Sequence, residues 1–306
     1  MNTPNACTLS IVGTLAAALL FSAGKLSATY TIQDDLVVEG DGSVEKSLEV
    51  DGNDGVVFRG EFGQGSKPIP DFVHPDPNYD EWGPRLMWYP AKGAFRVGQA
   101  TNLYEDAWND SNIGNYSVAF GSDNYGIASH SFVIGQENFV SSGATNGFAS
   151  GFATHVSGAN AMASGEMTSA TGSNSAAFGD WTSATGNAAV TFGKNTSASA
   201  TNAFALGEDT SATGNMSVAM GFGTTAQGYG QLVIGRYNEI QGWPHWWEDN
   251  DNAFIIGNGA SSSDRSNAFS VKKNGDTDIG GNLEVAGTVR VEPSGDIGMG
   301  QFTSEP

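Results

Sequence analysis

Met162–Ala163–Ser164–Gly165–Glu166–Met167–Thr168–Ser169–Ala170–Thr171–Gly172–Ser173–Asn174–Ser175–Ala176–Ala177–Phe178–Gly179 decides how this chain is read. Its opening four residues return fourteen positions later in altered form, closed by the same glycine. Gly151, Gly165, Gly179, Gly193, Gly207, Gly221 and Gly235 follow one another at that interval without a break. Outside this run Gly121 and Gly135 keep the period, while the steps from Gly135 to Gly151 and from Gly235 to Gly257 are longer. A fixed period over such a length signals a solenoid or stacked array.

Alignment on the closing glycine produces columns. Three places after it stand Thr154, Thr168, Thr182, Thr196, Thr210 and Thr224, and next to most of these Ser169, Ser183, Ser197 and Ser211. Ala170, Ala184, Ala198 and Ala212 come five places after it, and Ala163, Ala177, Ala205 and Ala219 two places before it. A second glycine recurs seven places on, as Gly172, Gly186 and Gly214, with Ala200 the exception. Fourteen residues accommodate two strands of about four to five residues and two tight turns. Glycine is least costly where a turn needs positive φ. The glycines Gly165, Gly172, Gly179, Gly186, Gly193, Gly207, Gly214 and Gly221 are therefore expected at the two corners of each coil. Stacked coils should set Thr over Thr and Ser over Ser as hydroxyl ladders on the turns. A helical heptad also divides fourteen, but two glycines per unit would cost a helix about 1 kcal/mol each. Disordered low complexity is disfavoured by the ordered apolar triplets.

Ser217–Val218–Ala219–Met220–Gly221 carries the main inference. Side chains alternate along a strand, so Val218 and Met220 point one way and Ala219 the other. Both faces are apolar, whereas a strand with one wet face alternates apolar with polar. A thin two-sheet coil has room only for small residues, so Ala163, Ala170, Ala177, Ala184, Ala198, Ala205, Ala212 and Ala219 are assigned to its interior. Phe120, Phe132, Ile134, Phe178, Phe192, Phe204, Leu206, Met220, Ile234 and Ile256 then face a neighbouring copy. Left bare, they would be more contiguous apolar surface than a soluble monomer tolerates. The expectation is a homo-oligomer, and it survives a swap of the two faces.

Asn115–Tyr116–Ser117–Val118–Ala119–Phe120–Gly121 and Asn215–Met216–Ser217–Val218–Ala219–Met220–Gly221 resemble the repeats of YadA-like heads of trimeric autotransporter adhesins. The likeness covers roughly residues 112–257. It implies an all-β fold, a left-handed parallel β-roll solenoid of 14-residue coils flanked by short β-rich segments. It also implies a homotrimer, and adhesion to host matrix, glycans or other cell surfaces without catalysis. No long coiled-coil stalk or membrane β-barrel anchor is read in the 306 residues, so self-export and anchoring are not carried over.

The rest of the chain is read around the roll. The formal net charge is −20 with few charged residues, 15%. That balance disfavours nucleic acid and anionic membrane as partners, since both need basic patches. Residues 1–28 read as a signal peptide, with an uncleaved anchor helix as the alternative; the product would be secreted or at the cell surface, with no membrane insertion after cleavage. Cys7 would leave with the signal, so disulfides are not expected. Residues 29–66 read as a β-rich segment and 67–111 as a proline-rich link with capping strands. The roll is placed at 112–271, with Asn267–Val271 as its last closing strand, and a β-rich neck at 272–306.

Gly242–Trp243–Pro244–His245–Trp246–Trp247–Glu248–Asp249 is the most unusual stretch, an insertion that places three tryptophans in one loop. Insertions in solenoids map to loops, and loops carry function. Trp243, His245, Trp246 and Trp247 are candidate ligand-binding residues, since exposed indoles stack on sugar rings or hydrophobic ligands. The plainer alternative, which the sequence favours, packs them over the end of the roll or across an oligomer seam. No catalytic or cofactor pattern is read: His74, His130, His155 and His245 are scattered, and Glu248–Asp251 and Asp276–Asp278 lack a full calcium loop. The leading expectation is an exported trimeric adhesin-like protein. A structural segment of a trimeric fibre, phage-tail-like or matrix, comes second, and an enzyme is a distant third.

Overall fold

A computed structural model describes residues 84–101 and 103–284. The readings of 1–28, of 29–66, of the proline-rich link before residue 84 and of the tail from 285 lie outside the described residues.

The chain forms a parallel β-solenoid of 14-residue coils. Each repeat contributes a five-residue strand, such as Ala176–Asp180, and a two-residue strand, such as Ser183–Ala184. The long strands stack into a 14-stranded sheet and the short ones into an 8-stranded sheet. Equal repeats put each residue over its counterpart: Phe178 on Phe192, Gly179 on Gly193, Asp180 on Lys194. Because side chains alternate along a strand, a slip of one residue would turn the alanine column outward, so the repeat length fixes the register.

The interior is filled by small side chains. Ala163, Ala170, Ala177, Ala184, Ala198, Ala205, Ala212 and Ala219 are all inaccessible to solvent and belong to one cluster. Toward the ends the same columns hold Val133, Val140, Val156, Val233 and Ile255. Burial of each methyl or isopropyl group is worth roughly 25 cal/mol per Å² of apolar surface.

The threonine column departs from expectation. Thr168, Thr182, Thr196, Thr210 and Thr224 are fully buried, and their Oγ1 atoms have no hydrogen-bond partner, so no hydroxyl ladder runs through them. A ladder does form in the first coils, where asparagine takes the same place. Asn138 Nδ2 donates to Asn124 Oδ1 at 3.0 Å, and Thr154 Oγ1 donates to Asn138 Oδ1 at 2.6 Å. An amide spans the gap between stacked coils, and a shorter hydroxyl does not.

The glycines also differ from their expected role. Gly165, Gly179, Gly193, Gly207 and Gly221 do have positive φ, but they lie inside the long strands rather than at corners. Gly172, Gly186 and Gly214 do not have positive φ at all. They are required by close approach: a Cβ on Gly172 would sit 2.0 Å from the carbonyl oxygen of Gly186. The corners themselves are left-handed at other residues, among them Met167, Trp181 and Asn195 on one side and Asn160, Asn174, Ala188 and Met216 on the other. Asparagine tolerates this conformation best, and single residues of other types adopt it at a cost.

Both ends of the stack are closed by antiparallel strands. Arg85–Tyr89 pairs antiparallel with Ala94–Gln99, which in turn pairs in parallel with Val118–Ser122. Arg96 lies opposite Ala119 and is fully buried at the head of the alanine column. Its Nη2 donates to Ser117 Oγ at 2.8 Å and to the Gly126 carbonyl at 3.2 Å. Among the described residues no carboxylate pairs with it. Burial alone pulls its pKa down to about 10, so the group remains a cation at neutral pH.

At the other end the expected last coil is absent. Asn252–Asn258 pairs in parallel with Leu232–Arg236, but Asn267–Lys272 runs antiparallel to it, followed by Thr277–Ile279, also antiparallel. The short sheet stops at Thr225–Ala226, so the chain after Asn258 has no second sheet to climb. A short turn can return a strand only in the opposite direction.

Candidate functional site

Two surface features stand out, an apolar face and a tryptophan loop. The outer side of the long sheet carries two bulky columns. One contains Phe132 and Phe204, and the other Phe120, Ile134, Phe178, Phe192, Leu206, Met220, Ile234 and Ile256. None of these ten is buried in the single chain; Phe192 keeps 39% and Leu206 37% of its surface exposed. Ring stacking within the chain partly orders them, as between Phe178 and Phe192 at 4.8 Å. The stripe is broken by Ser150 and Ser164 in the middle coils. Phe152, Phe222, Met167 and Trp181 extend the exposed apolar surface beside it.

The insertion begins as a normal coil. Gly242 lies seven places after Gly235, and a Cβ on it would come within 2.8 Å of Gly228 Cα, the equivalent residue one coil earlier. The loop backbone is then tied to the corner of the roll. Tyr229 N–H donates to the Trp243 carbonyl and Asn215 N–H to the Pro244 carbonyl, both at 2.8 Å, while Gln227 Nε2 donates to the Gly242 carbonyl at 2.9 Å. On the far side Lys273 and Asn274 N–H donate to the carbonyls of Asp251 and Asp249, each at 2.9 Å. The Trp243 N–H donates to Asp251 Oδ2 at 2.8 Å.

The rings, by contrast, stay outside. Trp243, Trp246 and Trp247 expose 56%, 51% and 55% of their surface. Trp243 and Trp246 are stacked with centroids 5.5 Å apart, and His245 leans on Trp246 at 6.2 Å. The plainer sequence reading, in which the tryptophans cover the end of the roll, therefore holds for the loop backbone and not for its indoles within one chain.

Two further residues build this site. Lys273 Nζ lies 4.8 Å from the centre of the Trp247 ring and 5.9 Å from that of Tyr229. Its side chain is completely shielded, and Asp251 Oδ2 is 3.7 Å away. That contact is an ion pair without a hydrogen bond, so the ring faces and the carboxylate share the work of holding the ammonium. The Trp247 indole is fixed from its edge as well, since Nε1 donates to Asp249 Oδ1 at 2.9 Å. Tyr229 was legible as the residue one repeat before Trp243. Lys273 comes from the C-terminal hairpin, and no spacing in the sequence points to it.

Lys273→Ala is expected to free the loop. Removing one partner of a shielded ion pair costs about 3 kcal/mol or more, and a desolvated cation–π contact contributes up to about 2 kcal/mol. The expected readout is a lower melting temperature with a red shift of tryptophan emission; an unchanged spectrum would mean that Lys273 does not hold Trp247.

Among the described residues no group of three or more His, Cys, Asp or Glu side chains could hold a metal ion. Asp249 and Asp251 of the insertion have structural partners, as above, and Asp276 and Asp278 lie 4.0 and 3.9 Å from Lys272. His130 is stacked with Tyr116 and His155 with Phe139. Partial burial pulls the His155 pKa below the usual histidine range, favouring the neutral ring. Tyr125, Phe139 and His155 form an aromatic column on the outer face of the short sheet. The sequence holds these residues in plain view, but its columns were drawn from the central coils, where serine takes their place. No protein-family model matches the chain, and no curated protein is significantly similar to it.

Proposed function

We propose that this chain is an exported, homotrimeric, adhesin-like surface protein with a YadA-like head. In this reading it is non-catalytic and binds host matrix, glycans or other cell surfaces through the roll. One observation carries the proposal: the interior is saturated with alanine while a second apolar face, Phe120 to Ile256, remains uncovered in the single chain. Sister chains are the simplest cover for a repeating face, because association about a symmetry axis sets equivalent columns against each other. A trimer would also present three copies of any weak site, which raises avidity without new contacts.

The test is the mass of the secreted chain in solution. A mass near three chains is expected, together with dissociation on Leu206→Asp, which puts a charge into the stripe. A stable, soluble monomer at micromolar concentration would refute the assembly. A trimer that binds no matrix protein, glycan or cell surface would instead favour a fibre spacer.

A further inference from the structure

We infer that the tryptophan loop is a preorganised binding site for neutral pyranose glycans, built from the outward faces of Trp246 and Trp247 beside Trp243. The inference deepens the proposed adhesive function and rests on that reading for its biological setting, although the site itself lies within one chain.

Three observations converge. The first is rigidity. The loop backbone is tied to the roll at Asn215, Gln227 and Tyr229 and to the hairpin at Lys273 and Asn274. A loop backbone already held in place loses little freedom when a ligand arrives, which lowers the cost of binding. The second is exposure that nothing among the described residues explains. Eight extra residues carry three indoles, each more than half exposed, although their backbone is hydrogen-bonded to the roll. Trp247 is held from beneath by Lys273 and at its edge by Asp249, so its other face is turned to solvent as a platform.

The third observation is the chemistry of the rim, which selects the ligand. Glu248, Asp249 and Asn250 are exposed next to the indoles and offer acceptor oxygens. The cation of the site, Lys273, is shielded and already engaged by Asp251. A pyranose presents an axial C–H face to an aromatic ring and hydroxyl donors around its edge, which matches apolar faces bordered by carboxylates. An anionic glycan or an anionic membrane would meet uncompensated negative charge, reinforced by the net charge of −20. A purely apolar ligand would leave the carboxylate rim desolvated without partners.

The experiment is saturation-transfer NMR and calorimetry on the full secreted chain, with cellohexaose, mannohexaose and chitohexaose as neutral probes and a heparin hexasaccharide as the anionic one. Millimolar to submillimolar binding of at least one neutral probe is expected, with transfer concentrated on ring C–H protons. Trp246→Ala should weaken it roughly tenfold or more, with the melting temperature unchanged. Trp181→Ala, which removes an exposed indole elsewhere on the roll, should leave binding unaltered. Absence of binding by all three neutral probes, preference for heparin, or indifference to Trp246→Ala would overturn the inference. Solution mass is read separately: a trimer without glycan binding sinks this site alone, whereas a glycan-binding monomer sinks the assembly and spares the site.

Discussion

Ala205→Phe is expected to abolish cooperative folding of the roll. Ala205 is inaccessible to solvent, with Thr191 and Ala219 directly in register on either side. The facing column on the short sheet is also alanine, Ala198 and Ala212. Overpacking a core commonly costs about 1–3 kcal/mol even when neighbours can shift. Here the neighbours are alanine methyls, which have no rotamers to change, and the fully buried, β-branched Thr191. One coil cannot widen by itself either, because both of its strands are hydrogen-bonded to coils above and below. In a solenoid, where each repeat leans only on its neighbours, a ruptured layer divides the stack. Loss of folded protein, or a melting transition displaced by more than 10 °C on the scale of roughly 2–4 °C per kcal/mol, is the expected measurement. Unchanged yield of folded protein and unchanged melting would show that Ala205 does not face inward.

Gly179→Ala, a single added methyl, is expected to be nearly as severe. The residue has φ +126°, and its Cβ would lie 1.9 Å from the Gly193 carbonyl oxygen. Backbone in a region open essentially to glycine alone costs of order 1–3 kcal/mol, and the steric overlap with a hydrogen-bonded neighbour adds to it. Gly230→Ala is the matched control. Gly230 has φ +63° with nothing near a new Cβ, and should lose only about 1 kcal/mol. Differential scanning calorimetry of the two variants checks the pair, and equal melting temperatures would contradict the close stacking at Gly179.

Much of this architecture was legible because a repeat reports on itself. Fourteen-residue spacing puts Ala163 under Ala177 and Phe178 under Phe192, and the narrowness of a two-sheet coil favours the alanine face as its interior, although spacing alone leaves a swap of the two faces open. The details that escaped are those a column does not encode. Positive φ and close approach both demand glycine, so Gly172 resembled Gly179 although only the latter has the unusual dihedral. The column pattern predicts Thr over Thr and Ser over Ser as ladders on the turns, yet Thr168 is inside while Ser169 beside it stays partly exposed. The reversal at Asn267–Lys272 depended on the short sheet ending at Thr225–Ala226, some forty residues earlier, a non-local cause. Arg96 and Lys273 were hidden for a similar reason: each long cation is shielded by residues distant in sequence.

The placement of left-handed backbone at non-glycine corners has a bearing on how such a molecule diversifies. At one lateral edge the successive occupants are His130, Asn146, Asn160, Asn174, Ala188, Asn202 and Met216, and at the other they include Ala153, Met167, Trp181, Asn195 and Asp209. Aromatic, aliphatic, amide and acidic groups all fit the same bend, because their side chains project from the edges and take no share of the glycine-lined stacking. The two ridges are thus display positions on a common frame, linked in places by contacts along the edge such as Asn146 Nδ2 donating to Asn160 Oδ1 at 2.9 Å. Mutational drift can repaint them, one rung at a time, without disturbing the register that holds the frame together.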